Sequence, residues 1–180
     1  MEIVPIFDDI LYAIKYDGEQ SDEFERLFDL WRDPEYLEEF FEEHKSDING
    51  GFWGCISIEE AILKTLSDAQ HFEDRFQELS KHQSGDLLSA LSKLFKPLHD
   101  SQTRVIPLNK SKARETWLRI YALRLDDDAY IITGGAIKLT KAMQDREHTE
   151  HELHKIDLCR QYFLKEGIID TDGVIDEIEL

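Results

Sequence analysis

Cysteine, methionine and proline are scarce in this chain, long apolar runs are missing, and positive charge is in short supply. Two cysteines, Cys55 and Cys159, make no disulfide framework, which points away from a small stapled secreted domain. No apolar stretch approaches the ~20 residues that a membrane-spanning helix needs. The opening "MEIVPIFDDILYAIKYD" has neither the basic flank nor the small-residue cleavage site of a secretion signal, so the expected location is cytoplasmic and no membrane is expected as a partner. Twenty-one Lys and Arg stand against 39 Asp and Glu, for a net charge of −18. An acidic body repels nucleic acid, whose binding rests on neutralising phosphates.

That deficit is uneven. Residues 1–100 hold 9 Lys and Arg against 24 Asp and Glu, residues 101–166 hold 12 against 10, and residues 167–180 hold none against 5. Any anion-binding face therefore belongs to the middle of these stretches, residues 101–166. The 41% hydrophobic and 11% aromatic content is that of a folded chain, and 180 residues suit one domain.

The element pattern follows from periodicity. "ILYAIKYD" alternates as a strand does and Asp17-Gly18 ends it. Phe24, Leu27, Phe28 and Trp31 recur at helical spacing. Asp33 then Pro34 restarts a helix, a capping side chain followed by a residue whose fixed φ suits the first turn. "DINGGFWGC" reads as a glycine-rich turn with aromatic anchors. "SIEE" is a capping box, Ser57 with Glu60, opening a helix that runs to about residue 80, and Leu87, Leu88, Leu91 and Leu94 mark a shorter one. "RVIPL" looks extended. "WLRIYALRL" and "AYIITGGAIKLT" are β-rich, with Asp126–Asp128 as the turn between them. Thr149 and Glu152 suggest a second capping box, and Gly167 stops the last helix. The expected class is α+β in one domain: a small antiparallel sheet packed with several helices, a helical acidic insertion over 19–100, a hairpin and helix over 101–166, and an acidic tail over 167–180.

Three familiar chemistries fail on spacing. In "TGGAIKLT" the glycines precede Lys138 by three and four residues within a strand, not at the mouth of a helix as a phosphate loop requires. His148, His151 and His154 are three apart, and "HELH" is one residue short of the zinc-binding HExxH spacing. The bland reading is a solvated first turn, with zinc and an acid–base histidine as alternatives. "IIDTDGVIDEIEL" imitates a calcium loop but places Ile168 where the first carboxylate belongs. Metal is therefore not expected. The basic residues Lys110, Lys112, Arg114, Arg119, Arg124, Lys138, Lys141 and Arg146 remain as the candidate anion face. On a strand Lys138 shares a side with Gly134 and Ala136, whose small size leaves room against the sheet.

The stretch "LRIYALRLDDDAYIITGGAIKLTKAMQ", followed by "TEHELHKIDLCRQYFLKEG", resembles the C-terminal half of the RelE/ParE toxin superfamily, most closely its HigB-like branch, over residues 117–166. Gly135, Lys138, Thr140 and the helix after Thr149 occupy corresponding places. Leu139 stands where the family usually has a second lysine, and Gln144 where proline is common. The resemblance implies a toxin of a type II toxin–antitoxin system. Such a toxin cleaves mRNA on the ribosome without metal or other cofactor and is neutralised by a helix-turn-helix antitoxin. It further implies catalytic roles for Lys138, Lys141 and His148, with RNA contacts from Arg124, Arg146, Lys110 and Lys112. The rival reading, which the net charge favours, is a non-enzymatic acidic interaction module of the same fold.

Overall fold

A computed structural model describes residues 1–7, 10–51, 53–81, 84–97, 103–106, 116–125, 129–168 and 170. The expected turn at Asp126–Asp128, Lys110, Lys112, Arg114 and most of the calcium-like tail lie outside the described residues. The chain opens with a hairpin, β1 (Glu2–Phe7) and β2 (Leu11–Lys15). The helices α1 (Glu23–Arg32), α2 (Pro34–Glu43) and the single turn α3 (Lys45–Ile48) come next. A two-strand ribbon, β3 (Asn49–Gly51) with β4 (Gly54–Cys55), leads into α4 (Ile58–Leu79) and α5 (Ser84–Leu94). The strands β5 (Lys96–Pro97), β6 (Thr103–Ile106), β7 (Leu118–Leu125) and β8 (Ala129–Ile137) precede α6 (Glu147–Glu166).

Local signals account for most of these boundaries. Asp22 caps α1 through the Phe24 and Glu25 amides, and Asp33 caps α2 through those of Glu35 and Tyr36. Ser57 and Glu60 form the reciprocal box at the start of α4. Gly167, at φ 74°, closes α6 in the left-handed conformation that costs glycine least. The box expected at Thr149 does not form. Helix α6 begins three residues earlier, at Glu147 after Arg146 as its cap, and the buried Thr149 hydroxyl instead donates to the carbonyls of Met143 and Arg146. His148, expected just before the helix, therefore lies inside its first turn.

Among the described residues six strands form one sheet in the order β1-β2-β8-β7-β6-β5. Neighbours are antiparallel, except that β2 runs parallel to β8. The class is α+β, with the helices gathered in blocks of sequence instead of alternating with strands. One face packs Leu11, Ala13, Ile120, Tyr130 and Ile132 beneath α1, α2, α4 and α5, whose Phe28, Trp31, Phe72 and Phe76 stack into an aromatic core. The other packs Tyr12, Ile14, Tyr121 and Ile131 beneath Ile156, Cys159 and Phe163 of α6. A bulge opposite Tyr121 and Ala122 leaves Thr133 unpaired in the ladder and shifts the alternation of β8 by one residue. Trp53 in the turn of the ribbon packs edge-on against Trp117 at 5.5 Å, as the aromatic-anchor reading required.

Candidate functional site

The site grows from an unfinished edge. Strand β2 pairs with β8 only from Leu11↔Tyr130 to Ala13↔Ile132, so the later carbonyls of β8 face away from any strand on that side. A buried carbonyl left without a donor costs ~1–3 kcal/mol. Two side chains supply donors: Tyr16 Oη donates to Thr133 O at 2.8 Å, and His148 Nε2 donates to Ile137 O at 2.9 Å. Helix α1 from one layer and α6 from the other both pack on β8, and Lys155 of α6 reaches Glu23 of α1 past this edge. Gly134 and Gly135 make that packing possible. A Cβ on Gly134 would land on Glu152 Oε2, and one on Gly135 would stand 2.5 Å from Arg119 O and 2.7 Å from Leu27 Cδ1. The room that the small residues of β8 leave is thus filled by the protein's own helices.

A buried ionic cluster ties the two helices together. Glu23, 2% exposed, accepts both guanidinium bonds of Arg26, at 2.8 and 2.7 Å, and the Lys155 ammonium at 2.8 Å. Glu152, 5% exposed, keeps only a longer 3.3 Å bond from Lys155, and its Oε2 has no hydrogen-bond partner. Desolvation therefore outweighs the attraction of Lys155 and pushes the Glu152 carboxyl up to about 7. Cys159, on the same side of α6, is pushed up to about 11 by burial and contacts Tyr16 Oη at 3.3 Å.

Beyond this cluster opens a cleft of about 760 Å³ between α1–α3, the end of β8 and the start of α6. Leu27, Leu30 and Ile137 give it an apolar floor, and Arg26, Glu43, Arg146, Glu147 and His151 are among its polar walls. Arg146 reaches across 99 residues of sequence to grip buried Asp47 with two guanidinium nitrogens, Nε at 2.8 Å from Oδ2. Within the cleft His148 Nδ1 faces His44 Nε2 at 3.1 Å, both rings half-buried, and the His44 Nδ1 lies 2.9 Å from Phe40 O. The Phe40 ring stacks on His44 at 4.3 Å and meets His148 edge-on at 5.1 Å. Burial lowers the His148 pKa below the usual imidazole value, partly opposed by its bond to Ile137 O.

The residues singled out in the sequence are thus divided. His148 and Arg146 line the cleft, as does His151, while His154 is exposed further along α6. The solvated-turn reading does not describe His148, whose half-buried ring is bonded at both nitrogens. Lys138 follows Ile137 directly; its Nζ donates to Lys141 O at 2.6 Å, and partial burial with Arg119 nearby lowers its pKa. Lys141 is exposed on the same loop. Arg124 belongs elsewhere, 5.7 Å above the Tyr130 ring on the sheet face that carries the helical layer. Sequence reasoning missed His44, Asp47 and Glu152. Nothing in "FFEEHKSD" distinguishes His44 from a surface histidine, because its partner lies 104 residues away. Among the described residues no group of three His, Cys, Asp or Glu converges as a metal site requires. Comparison with known proteins finds no matching family model, no matching curated protein and no matching solved structure.

Proposed function

We propose that this chain is an endoribonuclease of the RelE-like kind, a toxin that arrests translation by cutting mRNA on the ribosome, with the cleft beside the end of β8 as its active site. The observation that carries the reading is His148. The segment that resembles the toxins turns from β8 into α6 and sets this imidazole in a cleft, with Arg146 on the same wall and Lys138 one residue beyond the floor. Cutting RNA through its own 2′-hydroxyl asks for a group that moves protons near neutral pH and for cations that steady the phosphorane. Imidazole meets the first need. Lys138, Lys141 and Arg146 meet the second, and a neutralising antitoxin is the partner that such an activity requires.

The test is induction of the native chain in bacteria beside His148→Ala and the double variant Lys138→Ala/Lys141→Ala. Arrest of growth and protein synthesis by the native chain, relieved in both variants while circular dichroism stays native, is the expected result. Growth unchanged by a soluble, folded native chain refutes the proposal.

The acidic interaction module keeps one specific support. Arg26 and Arg146, the arginines of the cleft, are already neutralised by Glu23 and Asp47, while residues 1–100 carry a large acidic excess. That reading expects capture of a basic protein that is lost as salt rises, and capture unchanged in high salt counts against it.

A further inference from the structure

The two histidines in the cleft face each other in a way that neutral rings do not tolerate. A carbonyl oxygen has only lone pairs, so the nitrogens that meet Phe40 O and Ile137 O, His44 Nδ1 and His148 Nε2, must each carry hydrogen. The two remaining nitrogens, His44 Nε2 and His148 Nδ1, then point at one another at 3.1 Å. With both rings neutral these are two opposed lone pairs. With both rings charged they are two opposed N–H groups on adjacent cations. One proton, and only one, turns the contact into a hydrogen bond. A metal ion between two imidazoles needs further side-chain ligands, and among the described residues no third such group converges here.

We infer that His44 and His148 act as a single acid–base unit that holds one proton, so that the helical half of the chain supplies the second catalytic imidazole of the site. This rests on the ribonuclease reading above. In the pair we assign the donor role to His44, whose ring lies flat on the Phe40 face at the end of α2 and is held by Phe40 O. The lowered pKa of buried His148 agrees with its role as the neutral acceptor. Charged and titratable groups around the pair come from every neighbouring element: Arg26 of α1, Tyr36 and Glu43 of α2, Asp47 of α3, Arg146 before α6, and Glu147, His151 and Glu152 of α6.

Such a unit performs RNA transesterification without a co-reactant. Entry of the ribose-phosphate opens the contact between the rings and exposes one lone pair and one N–H. The lone pair of His148 takes the proton of the attacking 2′-hydroxyl, and the 2′-oxygen bonds phosphorus as the bond to the 5′-oxygen breaks. The proton of His44 passes to that departing oxygen. The products are a 2′,3′-cyclic phosphate and a 5′-hydroxyl. The pair has gained one proton and lost one, and one proton transfer between the rings restores it.

The experiment has two arms on the full chain. Nitrogen-15 NMR of the imidazoles, followed from pH 5 to 9, is expected to show one proton shared between His44 Nε2 and His148 Nδ1 around neutrality. Two neutral rings at pH 7 overturn the inference, whatever the chain does to RNA. In the second arm, single-turnover cleavage of ribosome-bound mRNA is followed against pH for the native chain, His44→Gln and His44→Phe. The expected result is a rate fall of ~10²-fold or more in both variants. One limb of the pH profile should vanish, with the half-saturating concentration near native. Cleavage by the native chain with unchanged rate and profile in both variants overturns the role of His44 and leaves the ribonuclease reading standing. No cleavage by the native chain removes that reading, and the inference with it. His44→Phe keeps the stacked ring, so a folding failure confined to His44→Gln leaves the test intact.

Discussion

Replacing Glu152 by glutamine should make the protein more stable, and increasingly so as pH rises. Glu152 is 5% exposed, has one carboxyl oxygen without a partner, and shares Lys155 with Glu23, which holds that ammonium at 2.8 Å against 3.3 Å. Its carboxyl is pushed from 4.5 up to about 7, chiefly by burial. A carboxyl raised in the folded state binds its proton there while the unfolded chain has already released it. Between pH 4.5 and about 7 the native state therefore holds more protons, and stability from this group falls as pH rises through that window and levels off above it. This is the reverse of the usual salt-bridged carboxylate. At ~1.4 kcal/mol for each pH unit, the whole fall is about 3 kcal/mol. Glutamine keeps the shape and an acceptor for Lys155 but has no charge to desolvate. The difference in unfolding free energy, variant minus native, should rise by about 3 kcal/mol from pH 4.5 to 7.5 and then stay level. Urea denaturation at half-unit pH steps measures it, and taking the difference cancels every other titrating group. The ion pair with Lys155 adds no separate contribution, because its attraction is already among the causes that set the Glu152 carboxyl at about 7. A difference that is flat across the window refutes the reasoning and means that Glu152 is charged and adequately paired in the native cleft.

Gly135→Ala should destabilise more than Gly134→Ala in urea denaturation, because its Cβ meets the backbone oxygen of Arg119 and the packed Leu27, whereas that of Gly134 meets the movable end of Glu152. A cost of ~1–3 kcal/mol is expected at Gly135, and pairing Gly134→Ala with Glu152→Ala should recover much of the loss at Gly134. A thiol reagent at pH 8 should label exposed Cys55 quickly and Cys159 only on unfolding, since burial both shields that thiol and pushes it up to about 11. Two thiols reacting at equal speed in the native protein would contradict the packing of α6 on the sheet.

What the sequence determined by itself is local. The Asp33 and Ser57 caps, the left-handed Gly167, the aromatic stripe of α1 and the hairpin of β7 and β8 depend on neighbours within a few residues, so periodicity and capping chemistry make them legible. Thr149 shows the limit even there. Its spacing to Glu152 suits a box, yet the first turn of α6 is set by its packing against the sheet, which draws the hydroxyl inward to Met143 O and holds Glu152 beside Lys155. The parallel join of β2 to β8 is equally invisible, because the partners lie more than a hundred residues apart and both are apolar on each face. That join ends at Ile132, and its ending leaves the open edge on which the cleft is built. Only the tertiary structure brings Asp47 to Arg146, Glu23 to Lys155 and His44 to His148. Each pairing joins the acidic helical half to α6 or the turn before it. Side chains so far apart in sequence carry no local pattern, and the chemistry of the site arises where two layers close around one unfinished strand.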